Sequence, residues 1–151
     1  MPKDPFPLPW IDQLVDATVG HPQMSFLDAF QGYHQILLAL DDQENTAFLT
    51  PTGNYHYKVM PFGLKNARST YQRMMTRIFE PQLGKNIEEY IDDMVAKNKA
   101  KFEHIDDLEN IFKILRKHKL RLNAATCSFG ISTSKFLGYM VTHRKIEVDP
   151  N

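Results

Sequence analysis

Cysteine is nearly absent from this chain. Cys127 is the single one in 151 residues, which excludes an internal disulfide framework and any zinc site built on several thiolates. Net charge is absent as well. Lys and Arg number 18 and so do Asp and Glu, so no excess of one sign advertises a polyanion partner, although a basic face can be balanced locally by an acidic site. No apolar run approaches the length of a membrane span, and the opening MPKDPFPLPW lacks the pattern of a signal peptide. A soluble, intracellular and most simply cytoplasmic protein without membrane partners is therefore expected. The six histidines, at 21, 34, 56, 104, 118 and 143, are scattered with no H-E-x-x-H box. They read as surface or packing residues.

What is present suits one ordinary domain with its own core: 42% hydrophobic and 24% charged residues. After a proline-rich start, Ile11, Leu14, Val15 and Thr18 form a short helical stripe that Gly20 can end. Residues 23–29 read as a strand finishing on Asp28, followed by a tight turn over 30–33 and an apolar run over 34–40. Residues 44–50 and 55–60 read as a hairpin with Pro51, Thr52, Gly53 and Asn54 as the turn. Helical spacing then covers 67–83, through Tyr71, Met74, Met75, Ile78 and Phe79, and a second helix covers 101–118, with Ile105, Leu108, Phe112 and Leu115 on one face. Between them lies NIEEYIDDMVA, and after them SKFLGYMVT and KIEVD make a further hairpin about His143-Arg144. The order strand, helix, hairpin, helix, strand is that of a split βαβ unit. The fold class is α+β, an antiparallel sheet backed by two helices.

Three Asp-Asp pairs occur. Asp41-Asp42 reads as a solvated strand end and Asp106-Asp107 as part of a helix's polar side. Asp92-Asp93 differs, because it sits at a hairpin tip between apolar runs, and the split βαβ order makes its strand a neighbour of the strand ending on Asp28. Three carboxylates at one sheet edge suit hard divalent cations, which prefer oxygen ligands. Two Mg²⁺ ions roughly 3.5–4 Å apart are the usual apparatus of in-line phosphoryl transfer. The basic run from Arg116 to Arg121 reads as a helix end complementing its dipole or, equally, as a contact to nucleic-acid phosphates. Lys97, Lys99 and Lys101 read as a solvated connection.

Five stretches in one order, FLDAFQGYHQI (26–36), YKVMPFGLKNARSTYQRMM (57–75), YIDD (90–93), LRLNAATCSF (120–129) and KFLGYMVT (135–142), closely resemble the reverse transcriptase of Gypsy-type long-terminal-repeat retrotransposons. The resemblance implies a polymerase palm with partial fingers and an RNA-directed DNA polymerase activity. It implies Asp28, Asp92 and Asp93 as catalytic metal ligands, joined by the Ala29 carbonyl, with two Mg²⁺ ions as cofactors and Mn²⁺ as a substitute. It places Phe30, Tyr33, Phe62 and Gly63 about the incoming nucleotide, Tyr33 beneath the sugar. It places Tyr90 near the primer end, and Phe136, Leu137, Gly138 and Tyr139 in the hairpin that grips the primer strand. The implied partners are an RNA or DNA template with its primer, deoxynucleoside triphosphates, and the thumb and RNase H segments of a longer Pol protein.

The family pattern is departed from at Arg68, where a small residue or proline is usual. The family's preceding finger strands are expected to be missing ahead of PKDPFPLP, and most of the thumb and the RNase H domain after 148–151. The expected layout is fingers over 1–20 and 34–60, palm over 21–33 and 61–125, and primer-grip hairpin over 126–151. Two rivals stand beside this reading. One is another two-metal nucleotidyl transferase or a nucleotide cyclase on a palm-like sheet; the other is a truncated, catalytically inactive transposon remnant with at most residual nucleic-acid binding.

Overall fold

A computed structural model describes residues 3–142 and 145–149. The helical stripe near the N-terminus forms α1 (Ile11–Asp16), with Leu14 and Val15 buried. It leads into β1 (Gln23–Asp28), whose central residues are all buried. A finger-like excursion follows, containing α2 (Leu40–Gln43) and the short strands β2 (Phe48–Thr50) and β3 (Gly53–Tyr55). Then come α3 (Ala67–Phe79), β4 (Ile87–Tyr90), β5 (Asp93–Asn98), α4 (Lys101–Lys117) and β6 (Ser128–Ile131). The chain closes on β7 (Thr133–Phe136), β8 (Tyr139–Thr142) and β9 (Ile146–Val148).

The central sheet has the order β4-β5-β1-β6, every pair antiparallel. With α3 and α4 as the crossovers, this is the expected split βαβ arrangement. Alternation along β1 explains its unbroken apolar run. Leu27 joins Met94, Tyr71, Met75, Phe79, Ile111 and others in the core under the helices. Met24 and Phe26 face the other way, against Leu14, Val15, Val95, Phe136 and Val141, so both faces of β1 are covered. In α3 the four-residue spacing of Ala67, Tyr71, Met75 and Phe79 buries one stripe.

Several expectations change. The hairpin of the finger excursion is short: residues 44–46 are a 3₁₀ turn, and Pro51-Thr52 alone link Thr50 to Gly53. Asp41 and Asp42 lie in α2, not at a strand end. On α4 the buried residues are His104, Ile111 and Leu115, while Ile105 is 65% exposed. The face turns because His104 finds polar partners inside: its Nε2 lies 2.7 Å from Ser25 Oγ and its Nδ1 2.7 Å from Asn98 Oδ1. Lys97 is 3% exposed, not solvated, because its Nζ donates to Glu88 at 2.7 Å and to the Ala17 carbonyl at 2.8 Å. SKFLGYMVT bends on itself into β7 and β8, with Leu137 and Gly138 as a two-residue turn at φ 50° and 83°. Positive φ at both centres is what a type I′ hairpin requires. β9 pairs with β8 as expected, but the His143-Arg144 break itself lies outside the described residues, as does the side chain of Lys101. The N-terminal strap is tied to α3 by Asp4, which pairs with Arg73 at 3.1 Å and accepts from Thr70. Among the described residues no helix is long and apolar enough to cross a membrane.

Candidate active site

The β1–β5 register sets Asp28 directly opposite Asp93. One residue earlier, Asp92 occupies the two-residue turn between β4 and β5, preceded by Ile91 at φ 55°. That left-handed backbone is held from the helix layer. The Ile91 N–H donates to Gln72 Oε1 at 2.8 Å, and Gln72 Nε2 donates to the buried Glu89 at 2.6 Å. On the other side of β1, residues 121–123 run antiparallel to 28–30. Asn123 N–H donates to the Asp28 carbonyl and Phe30 N–H to the Arg121 carbonyl, each at 2.9 Å. The bridge between Ala29 and Leu122 is made by these neighbouring bonds and leaves the Ala29 carbonyl unused by the bridge.

The three acids differ in what they touch. Asp28 accepts a 2.6 Å hydrogen bond from Thr126 Oγ1 and, through its backbone N–H, donates to Cys127 Sγ at 3.4 Å. Asp92 Oδ1 is buried without a hydrogen-bond partner. It is packed so closely on Gly32 that a Cβ there would stand 2.0 Å from it. Burial first, then the charges of Asp28 and Asp93, push the Asp92 carboxyl up to about 6, against an opposing pull from the nearby Tyr71 hydroxyl. Tyr71 OH approaches Asp92 without closing a regular hydrogen bond, and burial raises its own proton affinity strongly. Asp93 is raised by burial and then by Asp28. Asp92 and Asp93, each raised by burial and by the Asp28 charge beside them, lack a counter-charge.

A cavity of about 220 Å³ opens over this edge, lined by Asp28, Asp93, Thr126, Lys135, Phe136 and Leu137. The structure thus brings the two facing acids together with the tip of the β7–β8 hairpin. Tyr139 is committed elsewhere, its hydroxyl donating to Asp12 at 3.0 Å, and Gly138 accepts from Asp149 N–H through its carbonyl. The expected nucleotide residues gather beside the other end of the site. Tyr33 is buried between Phe62 and Tyr71, with ring centroids 5.2 and 5.6 Å away. Phe30 and Phe62 are exposed, and Gly63 holds φ +88°, a conformation suited to glycine. Tyr90, which pairs with Asp93 across the hairpin, is half-buried. The Tyr33 hydroxyl is raised by burial and then by Asp92, and the nearby Arg68 guanidinium pulls it back.

An all-oxygen donor set with an orphaned buried carboxylate oxygen fits a hard divalent cation in its chemistry. The cage is not ready-made. Among the described residues no group of three acid, histidine or cysteine side chains stands in a ligating arrangement. Asp28 and Asp93 line the cavity, whereas Asp92 is turned inward to Gly32. Thr126, Gln72 and Gly32 were not singled out by sequence reasoning. Only Gly32 carried a signal there, as the glycine of FLDAFQGYHQI; the other two act through partners 17 to 98 residues away.

Residues 1–141 match the family described as reverse transcriptase (RNA-dependent DNA polymerase). The chain is 33% identical over 147 residues to the Retrovirus-related Pol polyprotein from transposon 297 of Drosophila melanogaster, covering 97% of this chain and 14% of that polyprotein. It is 31% identical over 148 residues to the corresponding polyprotein from transposon gypsy of the same fly, again covering 97% of this chain and 14% of the other. The chain therefore spans about a seventh of these relatives. In fold it is similar to the foamy viral protease-reverse transcriptase dRH in complex with ds DNA, with a TM-score of 0.91 at 20% identity over 99% of this chain and 26% of that one. A foamy viral protease-reverse transcriptase in complex with RNA/DNA hybrid gives 0.88 at 21% identity, over 99% and 20%. On sequence and fold together, the chain belongs to the reverse transcriptase (RNA-dependent DNA polymerase) family, among the Gypsy-type retrotransposon Pol polyproteins.

Proposed function

We propose that this domain extends a DNA primer on an RNA or DNA template, taking deoxynucleoside triphosphates as substrates and working inside the cell with the thumb and RNase H segments of a longer Pol protein. In the step, the primer 3′-oxygen bonds to the α-phosphorus, the bond from that phosphorus to its bridging oxygen breaks, and pyrophosphate leaves with the electron pair. The hydroxyl proton passes to water. Asp28, Asp92, Asp93 and the Ala29 carbonyl would hold two Mg²⁺ ions, or Mn²⁺ in their place. Such ions, when bound, favour the primer oxyanion and neutralise charge on the leaving oxygen.

The remaining work belongs to the chain. Phe136 and Leu137, which line the cavity with Asp28 and Asp93, would position the primer end together with Gly138, Tyr139 and Tyr90. Tyr33, fixed by Phe62 and Tyr71, offers a flat floor to the sugar, and Phe30 and Gly63 border the base. The expected layout of partial fingers, palm and primer-grip hairpin follows the same reading. The observation that supports it most is the register that sets Asp28 against Asp93 with an unpartnered Asp92 oxygen one residue away.

The test is Mg²⁺-dependent extension of a DNA primer on an RNA template, with Asp92→Asn alongside. Extension by the wild type that falls by at least about a hundredfold in the variant is the expected result. Extension that survives the substitution would refute the assignment of Asp92. Salt-sensitive duplex binding with no extension by the wild type would turn the reading to a nucleic-acid binder without turnover.

A further inference from the structure

A second basin is walled in part by Phe30 and Gln31, in the loop that follows Asp28. Its volume is about 300 Å³, and its walls are Phe30, Gln31, His34, Gln35, Lys119 and Arg121. No carboxylate lines it. Among the described residues neither Lys119 nor Arg121 takes part in an ion pair, and both are exposed. The basin carries two free cations next to a site of three mutually repelling anions.

Its frame is built with unusual care. The Gln35 side chain donates to the carbonyls of Phe30 at 2.6 Å and Arg121 at 3.0 Å, and accepts from Arg121 N–H at 2.7 Å. With the Phe30 to Arg121 backbone bond, this amide locks the loop after Asp28 to the segment carrying the cations. Two of the walls are strained. Gln31 has φ 46° and Lys119 has φ 57°, both in the left-handed region. Lys119 ends α4 in a double bond pattern, its N–H donating to the Arg116 carbonyl and the Leu120 N–H to the Leu115 carbonyl. That is the Schellman arrangement, where glycine is the usual residue. A lysine kept where glycine is easier points to a use for its ammonium.

The position of the basin says what the use is. Going along the paired segments, Asn123 stands at Asp28, Leu122 at Ala29 and Arg121 at Phe30. Arg121 is thus one step beyond the proposed metal-binding carbonyl. We infer that Lys119 and Arg121 receive the β- and γ-phosphates of the incoming nucleotide, and the pyrophosphate that leaves. This assignment rests on the polymerase reading, and it replaces helix capping or primer-template contact as the role of these two residues in the basic run. Arg presents a planar fork matched to phosphate oxygens, and Lys a movable point charge.

The experiment is calorimetric titration of the whole chain with inorganic pyrophosphate and Mg²⁺, no nucleic acid being present. Lys119→Gln and Arg121→Gln should each weaken binding by on the order of tenfold, the value of one charge-assisted hydrogen bond. Affinity for a primer-template duplex, read by fluorescence anisotropy, should stay within about twofold. Lys119→Gly separates binding from folding, because it relieves the backbone while removing the ammonium. Its melting temperature should hold or rise as pyrophosphate affinity falls. Failure of the wild type to bind pyrophosphate, unchanged affinity in the variants, or a loss that falls on the duplex instead would each overturn the proposal. A wild type that binds pyrophosphate yet extends no primer would count against the polymerase reading and leave the anion site standing.

Discussion

Replacing Glu89 by glutamine removes one buried charge and leaves the hydrogen-bond acceptor in place. Glu89 is 2% exposed on β4, three residues before Asp92. Its Oε1 accepts from Gln72 at 2.6 Å and from Thr76 at 2.9 Å, and its Oε2 is buried without a partner. Burial, helped by the neighbouring Glu88 charge and opposed by the Thr76 hydroxyl, pushes the carboxyl from 4.5 up to about 7. The folded value lies above the unfolded one. Its stabilising contribution is therefore complete below about pH 4.5 and is lost as pH rises through about 7. At 1.36 kcal/mol for each tenfold change in proton affinity, the loss amounts to at most about 3 kcal/mol by pH 8. Glutamine does not titrate and still accepts from Gln72 and Thr76. Glu89→Gln should therefore gain on the wild type by up to about 3 kcal/mol between pH 4 and pH 8. Urea unfolding of both proteins across that range measures it. The shifts of Asp92 and Asp93 are common to both chains and cancel in the difference. Two parallel stability curves would refute the reasoning, since they would mean that Glu89 takes up no proton on folding.

Two other substitutions test neighbouring claims. Lys97→Met strands the Glu88 carboxylate, whose partner at 2.7 Å is that ammonium; it should cost about 3–5 kcal/mol in chemical denaturation, much of it recovered in the double variant with Glu88→Gln. A cost below about 1 kcal/mol would mean that the pair behaves as a surface one. Gly32→Ala places a methyl group 2.0 Å from Asp92 Oδ1 and must move that carboxylate. Primer extension should drop on the order of a hundredfold, the scale of an ångström's misplacement, while the melting temperature changes little. Undiminished extension would show that Asp92 does not work from this position.

The sheet was legible because each strand that builds it is a short apolar run closed by an acid, a turn or a glycine, and the order of elements admits few topologies. The site was legible for the same reason: β1 ends and β5 begins on a carboxylate, and antiparallel pairing brings those two residues together. What escaped sequence reasoning depends on partners far along the chain. The α4 face could not be assigned correctly without knowing that Ser25 and Asn98 would receive His104. Lys97 looks solvated until β4 places Glu88 beside it. Thr126 has no local signal at all, since its role is a hydroxyl aimed at Asp28 from 98 residues away. Leu137 hides a turn because leucine is a poor choice for one.

That last misfit belongs to a pattern. Gln31, Ile91, Lys119 and Leu137 are the non-glycine residues with positive φ among those described. Gln31 and Lys119 wall the basic basin, Ile91 precedes Asp92, and Leu137 lines the cavity over Asp28 and Asp93. Each such residue costs on the order of 1–2 kcal/mol, against a net stability of about 5–15 kcal/mol for an ordinary domain. Strain of that size persists only where the surroundings over-determine the backbone. Here the restraints are visible: Gln35 beside Gln31, Gln72 at Ile91, the helix-end bonds at Lys119, and the β7–β8 ladder around Leu137. Both faces of the central sheet are packed, so the fold has stability to spend at one edge. The strain is concentrated at the loops that must aim carboxylates, cations and a hairpin tip at a common space, which is the distribution expected if geometry there was kept for chemistry and not for folding.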